Sequence, residues 1–103
     1  MTSFTETVIS LIRGIPEGCV TTYGQIARSA GSPRAARQVV RILHSMSSRY
    51  QLPWHRVVSG NGEIKIRDEE SFELQRFLLE SEGVELNRDR FVDLDKYGYG
   101  PVD

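Results

Sequence analysis

The residues best suited to chemistry gather in one stretch, Leu52-Pro53-Trp54-His55-Arg56-Val57-Val58. It holds the only tryptophan and one of two histidines, so a large aromatic, an imidazole and a guanidinium stand in consecutive positions. Pro53 fixes the backbone just before them. A core strand would not normally carry that sequence. By itself the stretch leaves two readings open: Trp54 is a core aromatic, or Trp54 and its neighbours wall a pocket. Other chemistries are easier to exclude. Cys19 is the single cysteine, which rules out an intrachain disulfide and thiolate metal clusters. Lying in Gly18-Cys19-Val20-Thr21, it reads as a small buried apolar residue. No paired carboxylates, metal-ligand set or glycine-rich phosphate loop stands out, so no cofactor is expected.

Charge supplies the second clue. Net charge is −1, but residues 1–67 carry nine Arg or Lys against three Asp or Glu, and residues 68–103 carry four against eleven. Eleven of the thirteen basic residues are arginine. Arginine offers a planar fork for phosphate and stacks on bases, as lysine does not. A basic face with an acidic back is the footprint of an oriented nucleic-acid binder.

The elements that must position these groups follow from pattern. Phe4, Val8, Leu11 and Ile12 recur at helical spacing, and the helix over 4–13 is capped by Ser3 and ended by Gly14. A short extended link over 19–21 leads to a helix from Tyr23 to Ala30, capped by Thr21 or Thr22 and closed by Gly31. Ser32 as N-cap and Pro33 at the first helical position predict a third helix from Pro33 to about Ser47. Arg34, Arg37, Gln38 and Arg41 follow i, i+3, i+4, i+7 on one side of it, with no carboxylate among them. Two helices joined by a glycine-containing turn, the second with a basic stripe, form a helix-turn-helix pattern. His44 reads as surface. Residues 47–51 read as an irregular linker. Arg56–Val58, a tight turn at 59–62 and the alternating Glu63–Ile66 read as a small hairpin, or wing. Asp68 opens a helix to about Glu82, with Phe72, Gln75, Phe77, Leu78 and Leu79 on its apolar face and Gly83 ending it. Val84–Leu86 reads as extended and the tail from Asp95 as irregular. The fold class is therefore mostly α: a winged-helix-like helix-turn-helix domain with a small β-hairpin and a C-terminal helix, as one domain over 1–103. No signal sequence and no apolar run of membrane-spanning length occurs, so a soluble, cytoplasmic protein is expected, with no membrane partner.

Four pieces stand in order: Tyr23-Gly24-Gln25-Ile26-Ala27; Ser32-Pro33-Arg34-Ala35-Ala36-Arg37-Gln38-Val39; Pro53-Trp54-His55-Arg56-Val57; and Leu78-Leu79-Glu80-Ser81-Glu82-Gly83. Their order and spacing resemble the DNA-binding domain of the O6-alkylguanine-DNA alkyltransferases over most of residues 4–86. In that family the third piece reads Pro-Cys-His-Arg-Val, and its cysteine takes the alkyl group. Trp54 in that place is similar to the alkyltransferase-like proteins, which lack the nucleophile. An indole cannot accept an alkyl group as an activated thiolate does.

The resemblance implies a non-enzymatic protein that flips O6-alkylguanine from duplex DNA into a pocket and flags it for nucleotide excision repair. It implies partners in damaged double-stranded DNA and excision-repair proteins. It implies that Arg37 fills the gap left by the base and that Tyr23 crowds the flipped nucleotide. It also implies that Ala35 and Ala36 let the helix approach DNA closely. Arg34, Gln38, Arg41 and Arg49 are candidate DNA contacts. Tyr23, Leu43, Trp54, Val57 and Arg67 would form the lesion pocket, with the Trp54 and Val57 carbonyls facing the guanine amino group and Arg67 facing its O6 edge. Alternatively Arg67 pairs with Glu69 or Glu70. His55 and Glu82 match the pair that activates the family's cysteine and would remain as a buried hydrogen-bonded relic. Met46 replaces an asparagine of that network. Two other readings stay open: a helix-turn-helix regulator, and a base-repair enzyme using His55 and Glu82. No dimerisation segment is evident, so a monomer is expected, nucleoid-associated if bacterial.

Overall fold

The computed structural model describes residues 3–100. Helix α1, Phe4–Arg13, starts where Ser3 and Glu6 cap each other reciprocally, and it buries Val8, Ile9 and Ile12. After a turn, β1 (Thr21–Thr22) runs into α2 (Tyr23–Ser29), where the Thr22 hydroxyl accepts from the Gln25 N–H. Gly31, at φ 88°, reverses the chain.

The third helix differs from expectation. Helix α3 is Ala36–Tyr50, displaced toward the C-terminus at both ends. Ser32 does not cap it. Instead the Ala35 N–H bonds the Ser32 carbonyl at 2.9 Å, closing a turn with Pro33 at the position where its fixed φ suits a turn. Arg34 therefore lies on that turn, off the helical stripe, and Ala35 occupies the cap. At the other end, residues 48–50 are helical, not linker. Gln51 stops the helix in the left-handed region, and the Leu52 N–H reaches back to the Ser47 carbonyl at 2.9 Å.

Trp54–Arg56 form a single 3₁₀ turn and only Val57–Val58 are strand, β2. The expected pairing of this strand with Glu63–Ile66 does not occur. The turn at 59–62 is present, but β2 pairs in parallel with β1, Thr21 opposite Val57 and Thr22 opposite Val58. Glu63 bridges to Phe91 and the Ile64 N–H bonds the Arg90 carbonyl instead. Alternation in 63–66 correctly signals an extended segment with one buried face, but it carries no information on which strand it joins. The small hairpin lies later in the chain: β3 (Leu86–Asn87) and β4 (Phe91–Val92) pair antiparallel around Arg88 and Asp89, both at positive φ.

Helix α4, Glu69–Ser81, is capped by Asp68, whose carboxylate accepts from the Ser71 N–H. Gln75 and Leu79 are its buried positions. Phe77, assigned to the apolar face from sequence, is 65% exposed. The tail is not irregular from Asp95 onward. Asp93 caps a short helix α5, Leu94–Tyr97, and Val20 bonds both Tyr97 and Tyr99 through the backbone, docking this segment beside β1. Residues 101–103 of the expected tail lie outside the described residues.

Two apolar clusters result. Val8, Ile12, Ile26, Ala27, Val39, Leu43, Leu52 and Val57 fill the space among α1, α2 and α3. Val20, Val58, Ile64, Leu79, Val84 and Val92 fill the other. Strand β2 joins them, because adjacent strand residues face opposite ways: Val57 enters the first and Val58 the second, each 1% exposed. Cys19, expected to be buried, is half-buried against the first cluster.

Candidate nucleic-acid interface

A cleft of about 950 Å³ opens between α3 and the chain from Trp54 to Asp68. Tyr23, Arg37, Leu43, Trp54, Val57 and Arg67 all line it, so the structure brings together every residue expected in the lesion pocket and adds the expected finger arginine. Val40 and Ser47 of α3, Lys65 of the loop and Gln75 of α4 also line it, and sequence reasoning did not single them out for the pocket. Burial pushes the Tyr23 phenol above its ordinary pKa, so it is neutral near pH 7. Arg67 is exposed, and among the described residues it pairs with neither Glu69 nor Glu70.

Trp54 reconciles its two open readings. Its side chain is half-buried against the first core cluster, and it also lines the cleft. Its ring meets His55 edge-on, with centroids 6.2 Å apart and planes at 86°. The Trp54 carbonyl accepts from the Val57 N–H, and the Val57 carbonyl accepts from Gln75 Nε2 at 3.2 Å. A carbonyl has two lone pairs, so these bonds leave each oxygen one further acceptor site.

Beside the cleft, Arg34, Arg37, Gln38 and Arg41 are exposed, and Ala35 and Ala36 are half-buried. Arg34, Arg37 and Arg41 have no carboxylate within ion-pair distance among the described residues. His44 is exposed, as expected. Arg49 stacks on Tyr50, its guanidinium carbon 5.5 Å from the ring centroid.

His55 and Glu82 form the expected pair, Nε2 to Oε2 at 2.8 Å. Sequence reasoning missed the stronger partner. Arg56 reaches Glu82 through Nε at 3.0 Å and Nη2 at 2.7 Å, and its Nη1 donates to the Ile15 carbonyl at 2.8 Å. The Gly18 N–H adds a bond to Glu82 Oε1 at 3.1 Å. Burial alone would raise the Glu82 carboxyl, but the bonds from Arg56, His55 and Gly18 outweigh it and hold the pKa at about 2. An ionised carboxylate only accepts, so His55 Nε2 carries the hydrogen. Neither His55 nor Glu82 lines the cleft beside α3; His55 borders a second cleft on the other side of Trp54. A carboxylate so saturated with donors is a poor base, which weakens the base-repair reading. Gln75 completes the arrangement, donating to the His55 and Val57 carbonyls from a side chain 2% exposed. A glutamine in the middle of an otherwise apolar helix face was the available signal.

A helix-turn-helix pair whose second helix borders a cleft, backed by a fixed 3₁₀ turn, is a DNA-binding architecture with a pocket built in. Residues 3–84 match the family described as 6-O-methylguanine DNA methyltransferase, DNA binding domain, and the chain belongs to that family. It is 44% identical over 95 residues to the DNA base-flipping protein of Escherichia coli K12, covering 92% of this chain and 73% of that one. It is 41% identical over 87 residues to alkyltransferase-like protein 1 of Schizosaccharomyces pombe, covering 84% and 81%. The crystal structure of S. pombe Atl1 in complex with damaged DNA containing O6-carboxymethylguanine matches with a TM-score of 0.83 at 35% identity, covering 98% of this chain and 100% of that one. The resemblance and the fold class read from sequence are both borne out.

Proposed function

We propose that this protein binds duplex DNA containing O6-alkylguanine, holds the damaged base in the cleft beside α3 without transferring its alkyl group, and marks the site for nucleotide excision repair. One observation carries the reading: Trp54 stands in the cleft, where the resemblance puts a reactive cysteine, among Tyr23, Leu43, Val57 and Arg67. The single thiol of the chain, Cys19, is not among the cleft residues. The relatives named for base flipping, and the one solved on damaged DNA, support it.

The physics fits. An O6-alkyl group weakens pairing, so extruding that base costs less than the few kcal/mol of a normal one. Arg37, exposed at the start of α3 and bordering the cleft, is placed to fill the vacated stack. The Trp54 face offers stacking, and the Arg67 guanidinium offers donors to the O6 and N7 edge. Arg34, Gln38 and Arg41 hold phosphates. The protein acts as a monomer in the cytoplasm.

The test is affinity for matched duplexes carrying guanine or O6-methylguanine, for the intact protein, Arg37→Ala and Trp54→Ala. Preference for the lesion, weakened by both substitutions, is the expected result. Equal binding to both duplexes refutes the lesion reading, and a dealkylated or excised product refutes its non-catalytic part. Binding that follows sequence and ignores the alkyl group establishes a regulator instead.

A further inference from the structure

The helical line on α3 does not stop at Arg41. Positions 37, 41, 44 and 48 recur at i, i+4, i+7 and i+11, so exposed Arg37, Arg41, His44 and Ser48 form one line about 16 Å long. It leads from the cleft beside α3 to the second cleft, of about 830 Å³. The two clefts share a wall made of His44, Ser47 and Trp54. Beyond it, Arg13 at the end of α1 and Arg49 near the end of α3 converge on one side chain. Each guanidinium carbon lies 5.5 Å from the centroid of the Tyr50 ring, and Arg13 Nη2 donates to the Tyr50 carbonyl at 3.3 Å.

Two cations gathered on one ring repel each other. Among the described residues neither has a carboxylate within ion-pair distance. Arg56, which also borders this cleft, is neutralised by Glu82 at 2.7 Å. Arg76, on the acidic half of the chain, stands within 4.0 Å of Glu73, Glu80 and Asp89. The Arg13–Tyr50–Arg49 group is thus a preassembled positive site with no protein counter-charge among the described residues. Its ring and carbonyl hold the guanidiniums in place before any anion arrives.

We propose that Arg13, Tyr50 and Arg49 form a second DNA-backbone site, gripping phosphates beyond the second cleft while the cleft beside α3 holds the base. This rests on the DNA-binding part of the proposed function and not on lesion preference. Phosphate contacts carry no sequence or lesion information, so the site strengthens binding to normal and damaged duplexes alike.

The test is a salt titration of affinity by fluorescence anisotropy, on labelled duplexes of about two helical turns carrying guanine or O6-methylguanine. In Arg13→Gln/Arg49→Gln the slope of log affinity against log salt should shrink by about 1.8 on both duplexes, at about 0.9 per lost contact. The ratio between the duplexes should not change. Arg13→Lys/Arg49→Lys, which keeps both charges, should restore the slope. An unchanged slope in a Gln variant that still melts cooperatively overturns the proposal, whatever happens to its stability. So does a lost lesion preference with the slope intact. Where the double variant does not fold, Arg49→Gln alone leaves the Arg13–Tyr50 bond in place. Its slope should fall by about 0.9, and no change again overturns the proposal. If the intact protein ignores the lesion, the slope on undamaged DNA still decides the question while the lesion reading falls separately.

Discussion

Glu82→Gln removes one negative charge and leaves the half-buried Arg56 guanidinium without its carboxylate partner. The size of the effect follows from the wild-type carboxyl. Its pKa of about 2, against an ordinary 4.5, is a shift of roughly two and a half units, or roughly 3 kcal/mol of preferential stabilisation of the ionised form. The side chain is 11% exposed, so solvent screening removes little of this. Breaking a buried pair by removing one partner costs a similar amount, about 3–5 kcal/mol. For a domain of this size roughly 3 kcal/mol corresponds to a fall of about 12–24 °C in melting temperature.

The pH dependence is the sharper signature. A carboxyl depressed in the folded state contributes stability that is present above its unfolded pKa and lost as pH falls through its folded pKa. The wild type should therefore lose stability between about pH 4.5 and pH 2, by up to 1.36 kcal/mol per pH unit from this one group. Urea denaturation from pH 2 to 7 on both proteins reads it directly. The gap between them should be widest near neutrality and close toward pH 2. Parallel profiles, or a gap at pH 7 below about 1 kcal/mol, refute the assignment of Glu82 as the clasp. At pH 7 the folded variant should keep its lesion affinity, because neither Glu82 nor His55 lines the cleft beside α3.

Trp54→Ala should weaken binding to the alkylated duplex by roughly 5- to 150-fold, the loss of one base–aromatic stack, with little change on undamaged DNA in anisotropy titrations. Gly62→Ala should destabilise strongly, because Gly62 sits at φ 85° and an added Cβ would lie 2.2 Å from the Val92 carbonyl oxygen; a cooperative melt within a degree or two of wild type would contradict that contact. Gln75→Leu should cost about 1–3 kcal/mol in urea denaturation, since it strips a buried donor from the His55 and Val57 carbonyls; an unchanged midpoint would mean the oxygens find other partners.

Helix starts were legible where the signal is local. Ser3 with Glu6, Thr22 and Asp68 each cap within three residues, so the information sits beside the element it sets. Ser32-Pro33 misled because the same dipeptide serves a turn as readily as a cap, and the difference is whether Ala35 bonds back to Ser32. Pairing was not legible. Val57 joins Thr21 across 36 residues and Glu63 joins Phe91 across 28, and nothing in either segment names its partner. The cleft became readable from sequence only through four ordered motifs. Spacing alone left Trp54 undecided, and it missed Arg56, whose partner Glu82 lies 26 residues away.

The stretch from Leu52 to Val58 looks least like a core segment, yet it is tied at nearly every residue. Leu52 is buried at 4% exposure and its carbonyl accepts the Trp54 N–H at 2.8 Å. Arg56 is held by Glu82 and Ile15, the His55 and Val57 carbonyls by Gln75, and Val57 and Val58 by opposite core clusters. Trp54 itself is spared such bonds at its side chain, and its indole borders both clefts. The His55–Arg56–Glu82 cluster thus has a use that needs no thiol: it keeps the backbone under Trp54 in place. On this reasoning Glu82→Gln and Trp54→Ala should act on different quantities, the first on folding and the second on lesion affinity, and a double variant should show the two effects adding.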